Sequence, residues 1–199
     1  MSDSQYFGES PEVASSPLDI DVALHDLRFV LRTDRGVFAR GGLDTGTRFL
    51  LDQAPSLPAT GNFLDLGCGS GPIALTMALR RPAARVWAVD VNSRARDLAR
   101  FNADRAGSTN VEVCSPEAVP DTVAFDVIWS NPPIRIGKPA LHELLLRWLP
   151  RLHPHGIAVL VVSKHLGSDS LARWLTEQGW PTDRLGSRAG YRLLRVAQP

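Results

Sequence analysis

The chain has 199 residues, 44% hydrophobic and 22% charged, with a formal net charge of +1. That length buries one full core rather than two, and near-neutrality supplies no global attraction for a polyanion, so any nucleic-acid contact must come from local charge. No apolar run is long enough to cross a bilayer and the polar start MSDSQYFGES has no secretory pattern, which together predict a cytoplasmic protein without a membrane partner.

Residues 1–17 are rich in Ser, Pro and Glu without a period and read as an extended arm. Residues 18–199 then read as a single domain. IDVAL and LRFVLR flank His25-Asp26 and predict a hairpin. A helix follows from Leu43, capped by Asp44 and stopped by Pro55. Hairpin and helix would cover what comes next.

A strand and helix alternation begins at NFLDLG, which stops at glycines before a helix opened by Pro72. RVWAVDV is the second strand of the series, and a helix over 93–106 follows with Asn92 or Ser93 as cap and Gly107 at its end. NVEVC and AFDVIWS are the third and fourth strands. Residues 139–152 place Leu141, Leu144, Leu145, Trp148, Leu149 and Leu152 on one stripe, an amphipathic helix. GIAVLVVS is apolar throughout, as the middle of a parallel sheet requires. A helix over 168–178 and a C-terminal hairpin turning at Ala189-Gly190 complete the pattern. The expected fold is α/β, a doubly wound, mostly parallel, seven-stranded sheet with an antiparallel C-terminal hairpin.

The first strand runs into LDLGCGSGP, where Gly67, Gly69 and Gly71 alternate around Cys68. Glycine lets the backbone turn sharply and lets a ligand approach with no Cβ in the way. Asp90 ends the second strand, where a carboxylate can accept both hydroxyls of a ribose, with Val91 beside it. Together with Asp65 just before the loop, these residues describe a nucleoside crevice. The loop resembles the first motif of class I S-adenosylmethionine-dependent methyltransferases. That resemblance implies S-adenosylmethionine as cofactor and no metal; Ser115 and Glu117 stand where many relatives place an Asp near the adenine amine. Cys68 has no base near it in sequence and reads as a small loop residue; Asn102 and Asn110 read as cap or turn residues.

The fourth strand ends at Asn131, followed by Pro132, Pro133 and Ile134. Two prolines stiffen the turn, so the Asn amide and the nearby carbonyls keep one orientation at the edge where the cofactor lies. An amide oxygen and a backbone carbonyl are two acceptors for the two hydrogens of an exocyclic amine. NPPI resembles the Asn-Pro-Pro-aromatic motif of methyltransferases acting on planar-conjugated nitrogens, with Ile134 in the place of the aromatic.

The similarity continues through SPEV, TDRGVFARGGLDTGTRFLL, NPPIRIGK, HGIAVLVVSKHLGSDSL and GYRLLRV. In this order they resemble the small-subunit ribosomal RNA guanine 2-amino methyltransferase family, above all its short, single-domain members. The resemblance implies that the segment around Phe38, Asp44 and Thr47 covers the cofactor pocket, and that the partner is ribosomal RNA or a small-subunit particle. Of 22 basic residues only Lys138 and Lys164 are lysines, both expected on the active edge. With Arg135 they are candidate phosphate contacts. Two other readings stay open: the same chemistry on a protein glutamine or a small molecule, and a cofactor-binding module without turnover.

Overall fold

The structure, a computed structural model, describes residues 13–39, 41–133 and 136–199. The arm expected over 1–17 therefore falls largely outside the described residues, as do Ile134 and Arg135. Strands β1 (Leu18–Ala23) and β2 (Arg28–Thr33) pair as an antiparallel hairpin, and helix α1 (Thr45–Gln53) follows. The main body runs β3 (Asn62–Leu66), α2 (Pro72–Arg80), β4 (Arg85–Val89), α3 (Ser93–Arg105), β5 (Val111–Cys114) and β6 (Phe125–Ser130). It continues with α4 (Lys138–Trp148), β7 (Leu152–Ser163), α5 (Ser168–Glu177), β8 (Thr182–Arg188) and β9 (Tyr191–Ala197).

The seven strands of the main sheet lie in the order β5-β4-β3-β6-β7-β9-β8. β5 through β7 are parallel, and β9 is antiparallel to both β7 and β8, so the last strand in sequence is inserted inside the sheet. The expected doubly wound fold with its C-terminal hairpin is what forms. Successive residues go to opposite layers, which explains why the strands read as unbroken apolar runs. Phe63, Val127 and Val159 enter the core shared with α1 and α2; their neighbours Leu64, Ile128 and Leu160 enter the core beneath α4 and α5.

Two boundaries differ from expectation. α4 stops at Trp148 and becomes a 3-10 turn over Leu149–Arg151. Pro150 has no N–H with which to continue the α-helical hydrogen bonds, while Leu149 before it still keeps helical dihedrals, φ −60° and ψ −39°. β7 begins at Leu152, four residues earlier than its apolar run, because exposed His153, Pro154 and His155 lengthen the strand without adding any hydrophobic signal.

What positions the site is the neighbouring of β3 and β6. From β3 the chain winds outward to β5, then returns and winds the other way through β6 and β7. This reversal leaves a crevice at the carboxyl ends of β3 and β6. Their register, Phe63 with Val127 through Asp65 with Trp129, brings the glycine loop and Asn131 out side by side. The Ser130 hydroxyl donates to the Leu66 carbonyl at 2.6 Å and locks the two strand ends together.

Candidate active site

A cavity of about 320 Å³ opens at this reversal point, within the size range of small-molecule sites. Its walls come from five strand ends: Gly67 to Ser70 after β3, Asp90 to Asn92 after β4, Pro116 after β5, Asn131 to Pro133 after β6, and Ser163 with Leu166 around the end of β7. Tyr191 of β9 and the segment containing Val37, Phe38, Asp44 and Thr47 close it from the other side.

The glycine loop is fixed from within. Gly67 and Cys68 donate their N–H groups to the Val89 carbonyl at 2.9 and 3.0 Å. Gly69 donates its N–H to Asp90 Oδ2 at 2.8 Å, while Asn92 donates its N–H to Oδ1 at 2.9 Å. Gly69 has a φ of 54°, a left-handed conformation costly for other residues, and a Cβ there would have only Val37 as a neighbour, at 3.9 Å. The backbone thus presents an open face to the cavity. Gly71 serves a different purpose: a Cβ would stand 3.2 Å from that of Ala99, so this glycine permits the close packing of α2 on α3.

Burial pushes the Asp90 carboxyl upward, against the bonds from Asn92 and Gly69 that pull it down. The backbone N–H groups of Gly69, Asn92 and Val91 all bond this carboxylate, whose two oxygens together have about four lone-pair sites, so acceptor capacity remains. Asp65 lies beneath the loop, fully buried, rather than on the cavity wall. Its Oδ2 accepts the Ala74 N–H at 2.8 Å, tying β3 to α2, and its Oδ1 has no hydrogen-bond partner. Desolvation by burial raises this carboxyl to about 8, opposed by the Ala74 bond and reinforced by the charge of Asp90. Cys68 is buried, and burial pushes its thiol well above the ordinary range, so it is held as a neutral thiol.

Asn131 has both hydrogens of its amide engaged. Nδ2 donates to Asp44 Oδ2 at 2.9 Å and to Thr47 Oγ1 at 3.0 Å. Asp44 is also the N-cap of α1, its Oδ2 accepting the Thr47 N–H at 3.0 Å. The cover and the Asn-Pro-Pro turn are therefore one hydrogen-bonded unit. Cavity-lining residues anticipated from the sequence are Phe38, Gly67, Cys68, Gly69, Asp90, Val91, Asn131, Pro132 and Pro133. Phe38 is 48% exposed despite lining the cavity, which leaves its ring face open to a ligand. Ser115 precedes the short 3-10 turn at Pro116–Ala118, and Pro116 takes the wall position next to it. Glu117 pairs with Arg147 at 3.4 Å. Lys138 and Lys164 are exposed on the same edge, outside the cavity lining.

Asn102 departs from the cap or turn role that its position predicts. It is buried; its Oδ1 accepts the Arg32 N–H, and its Nδ2 donates to the Arg32 and Ser70 carbonyls at 2.9 and 2.8 Å. This one side chain joins the β1–β2 hairpin to the glycine loop. Asn92 does the same for the cover: besides capping α3 it donates to the Gly36 carbonyl at 3.0 Å. Among the described residues, no group of three or more His, Cys, Asp or Glu could hold a metal ion, and no helix is long and apolar enough to cross a membrane.

A doubly wound sheet with this strand order, a glycine loop after its first parallel strand and an acid after its second is the architecture of class I methyltransferases. The chain belongs to the methyltransferase small domain family, whose sequence model matches residues 28–195. It is 31% identical over 194 residues to the uncharacterized protein YbxB of Bacillus subtilis (strain 168), a match covering 96% of each chain. It is 32% identical over 144 residues to ribosomal RNA small subunit methyltransferase C of Shewanella amazonensis, covering 69% of this chain and 41% of that protein. The T. thermophilus 16S rRNA N2 G1207 methyltransferase (RsmC), solved in complex with AdoMet and guanosine, superposes with a TM-score of 0.78 at 22% identity. That superposition covers 95% of this chain and 52% of the other. The chain thus spans only about half the length of the two proteins named for ribosomal RNA methylation. The resemblance drawn from its motifs, to class I S-adenosylmethionine-dependent methyltransferases, is borne out.

Proposed function

We propose that the protein transfers a methyl group from S-adenosylmethionine to the exocyclic 2-amino group of a guanine in small-subunit ribosomal RNA, with residues 18–199 acting as one catalytic unit in the cytoplasm. The observation that carries this reading is the placement of the Asn131 amide on the same cavity wall as Gly67 to Gly69 and Asp90. The names of the Shewanella and Thermus relatives support the choice of ribosomal RNA.

The residues present fit the cofactor. The open backbone face at Gly69 admits a ligand without a Cβ in the way, and the spare lone pairs of Asp90 suit the two hydroxyls of a ribose. When bound there, S-adenosylmethionine supplies a methyl carbon made electrophilic by its sulfonium. Asn131 and Pro132 act on the other reactant. The lone pair of a guanine amine is delocalised into the ring, which makes it a poor nucleophile. Asn131 Oδ1 and the Pro132 carbonyl accept its two hydrogens and turn the nitrogen lone pair toward the methyl, a contribution of positioning. With the cofactor held by the glycine loop and Asp90, its sulfonium would take back the S–C bonding pair as the amine took the methyl, and Asn131 Oδ1 and the Pro132 carbonyl would pass the surplus amine proton to water. No charged base is needed before attack. Phe38 contributes apolar surface for the planar substrate, with Ile134 a further candidate from the sequence, and Lys138 and Lys164 bind backbone phosphate outside the cavity, with Arg135 a further candidate from the sequence.

Labelled methyl supplied to total RNA, assembled small subunits and total protein, followed by nucleoside and amino-acid analysis, tests the proposal. The expected product is N2-methylguanosine. Label recovered as methylglutamine would move the same chemistry to protein. Label recovered nowhere, with the cofactor bound, would leave a binding module.

A further inference from the structure

The hydrogen bonds of Asn131 define more than its location. An amide can turn over about its last torsion and exchange its oxygen for its nitrogen, and only one of those orientations presents an acceptor. From the bonds at Nδ2 we infer that Asp44 and Thr47 are positioning residues that lock the Asn131 amide with Oδ1 toward the substrate; this rests on the methyl-transfer reading above.

Three features make the lock one-way. Asp44 is an acceptor when ionised, so it refuses the amide oxygen and takes only the nitrogen. Its Oδ2 accepts from the Thr47 N–H as well as from Asn131, so the carboxylate is itself fixed by the first turn of α1. Thr47 is buried and takes the second hydrogen, leaving Nδ2 nothing to offer a ligand. The partners lie 87 and 84 residues away in the chain, and both belong to the cover, so it is the cover that sets the amide. A negative charge at the nitrogen end also draws the amide toward its charge-separated form and strengthens Oδ1 as an acceptor. The site then presents acceptors alone. It favours a nucleophile with two hydrogens over one that offers a lone pair in the same place. Space for this arrangement comes from Gly46, where a Cβ would stand 3.0 Å from Asp44 Oδ2 and 2.7 Å from the Tyr191 ring.

Asp44→Ser separates this role from helix capping, because serine still caps α1 but is too short to hold Asn131. Two readouts decide it. In 15N-labelled protein the Asn131 side-chain amide, assigned by its disappearance in Asn131→Asp, should exchange roughly tenfold faster with water in Asp44→Ser combined with Thr47→Val. Single-turnover methyl transfer to small ribosomal subunits, at saturating cofactor, should slow roughly 10- to 100-fold in Asp44→Ser. Asp44→Asn, which keeps an acceptor in place, should recover most of that rate. Unchanged amide exchange in the double variant would overturn the lock. An undiminished rate in Asp44→Ser, with the wild type active, would overturn its role in transfer. If the wild type labels no RNA, the guanine reading falls, and amide exchange still decides the lock.

Discussion

The N–H of Gly69 donates to the carboxylate of Asp90 at 2.8 Å, so the glycine loop and the acid that follows β4 are joined within the protein itself. Asp90 therefore shapes the loop as well as offering lone pairs to a ligand. Asp90→Ala should lower cofactor affinity by about 1.5–3 kcal/mol for each charge-assisted bond removed. Asp90→Asn keeps one acceptor and should fall between. Calorimetry on folded variants measures this, and an affinity equal to that of the wild type would remove Asp90 from the cofactor site.

Asn131→Ala removes one oriented acceptor and leaves the loop intact. Turnover should fall roughly 100- to 1,000-fold, the usual cost of losing one preorganised hydrogen bond to a transition state, while cofactor affinity changes little. Asn131→Asp keeps an acceptor but sets a second charge beside Asp44, so partial activity is expected. Single-turnover transfer at saturating cofactor is the measurement. A wild-type rate in the Ala variant would reduce Asn131 to a strand terminator.

Lys138 and Lys164 lie on the edge of the sheet where the cavity opens, with both side chains exposed. Replacing both with Ala should weaken RNA binding and flatten the dependence of log affinity on log salt by about 0.7–0.9 for each phosphate no longer neutralised. Cofactor affinity should not move. Salt titrations of binding to a single-stranded RNA probe report the slope, and an unaltered slope would leave the two lysines as surface charge.

Much of this site is written in adjacent residues. The alternating glycines, the acid closing the next strand and the Asn-Pro-Pro turn are each chemically unusual over a few positions, and the places of the strands along the chain follow from their apolar runs. What joins them is not local. Asp44 reaches Asn131 across 87 residues and Asn102 reaches Arg32 across 70, each through one polar side chain that would serve equally well as a cap or turn residue. Spacing carries no trace of such bonds. Asp65 illustrates the other kind of silence: its neighbours in sequence mark the loop, but only the layer formed by α2 shows that its carboxyl lies beneath the loop and away from the cavity wall.

Burial of Asp65 gives a pH dependence of definite sign. Its carboxyl is raised from 3.8 to about 8 on folding. Between those values the folded chain keeps a proton that the unfolded chain releases, so this group's contribution to stability is fully present below the unfolded value and is lost as pH rises through the folded one. Asp65→Asn cannot titrate and can still accept the Ala74 N–H. The decline in melting temperature from about pH 5 to about pH 9 should therefore be smaller in the variant than in the wild type. Equal declines would mean that Asp65 is ionised in the folded protein.

The insertion of β9 between β7 and β8 matters while the chain is being made. Synthesis runs from the N-terminus, so β7 emerges with one edge bare and β8 emerges before the strand it pairs with. Neither can be satisfied until residues 191–197 arrive, and a bare strand edge is a template for pairing with other chains. The same late strand carries Tyr191, a wall of the cavity. The pocket therefore cannot close until β9 has docked, although its glycine loop lies near the middle of the chain.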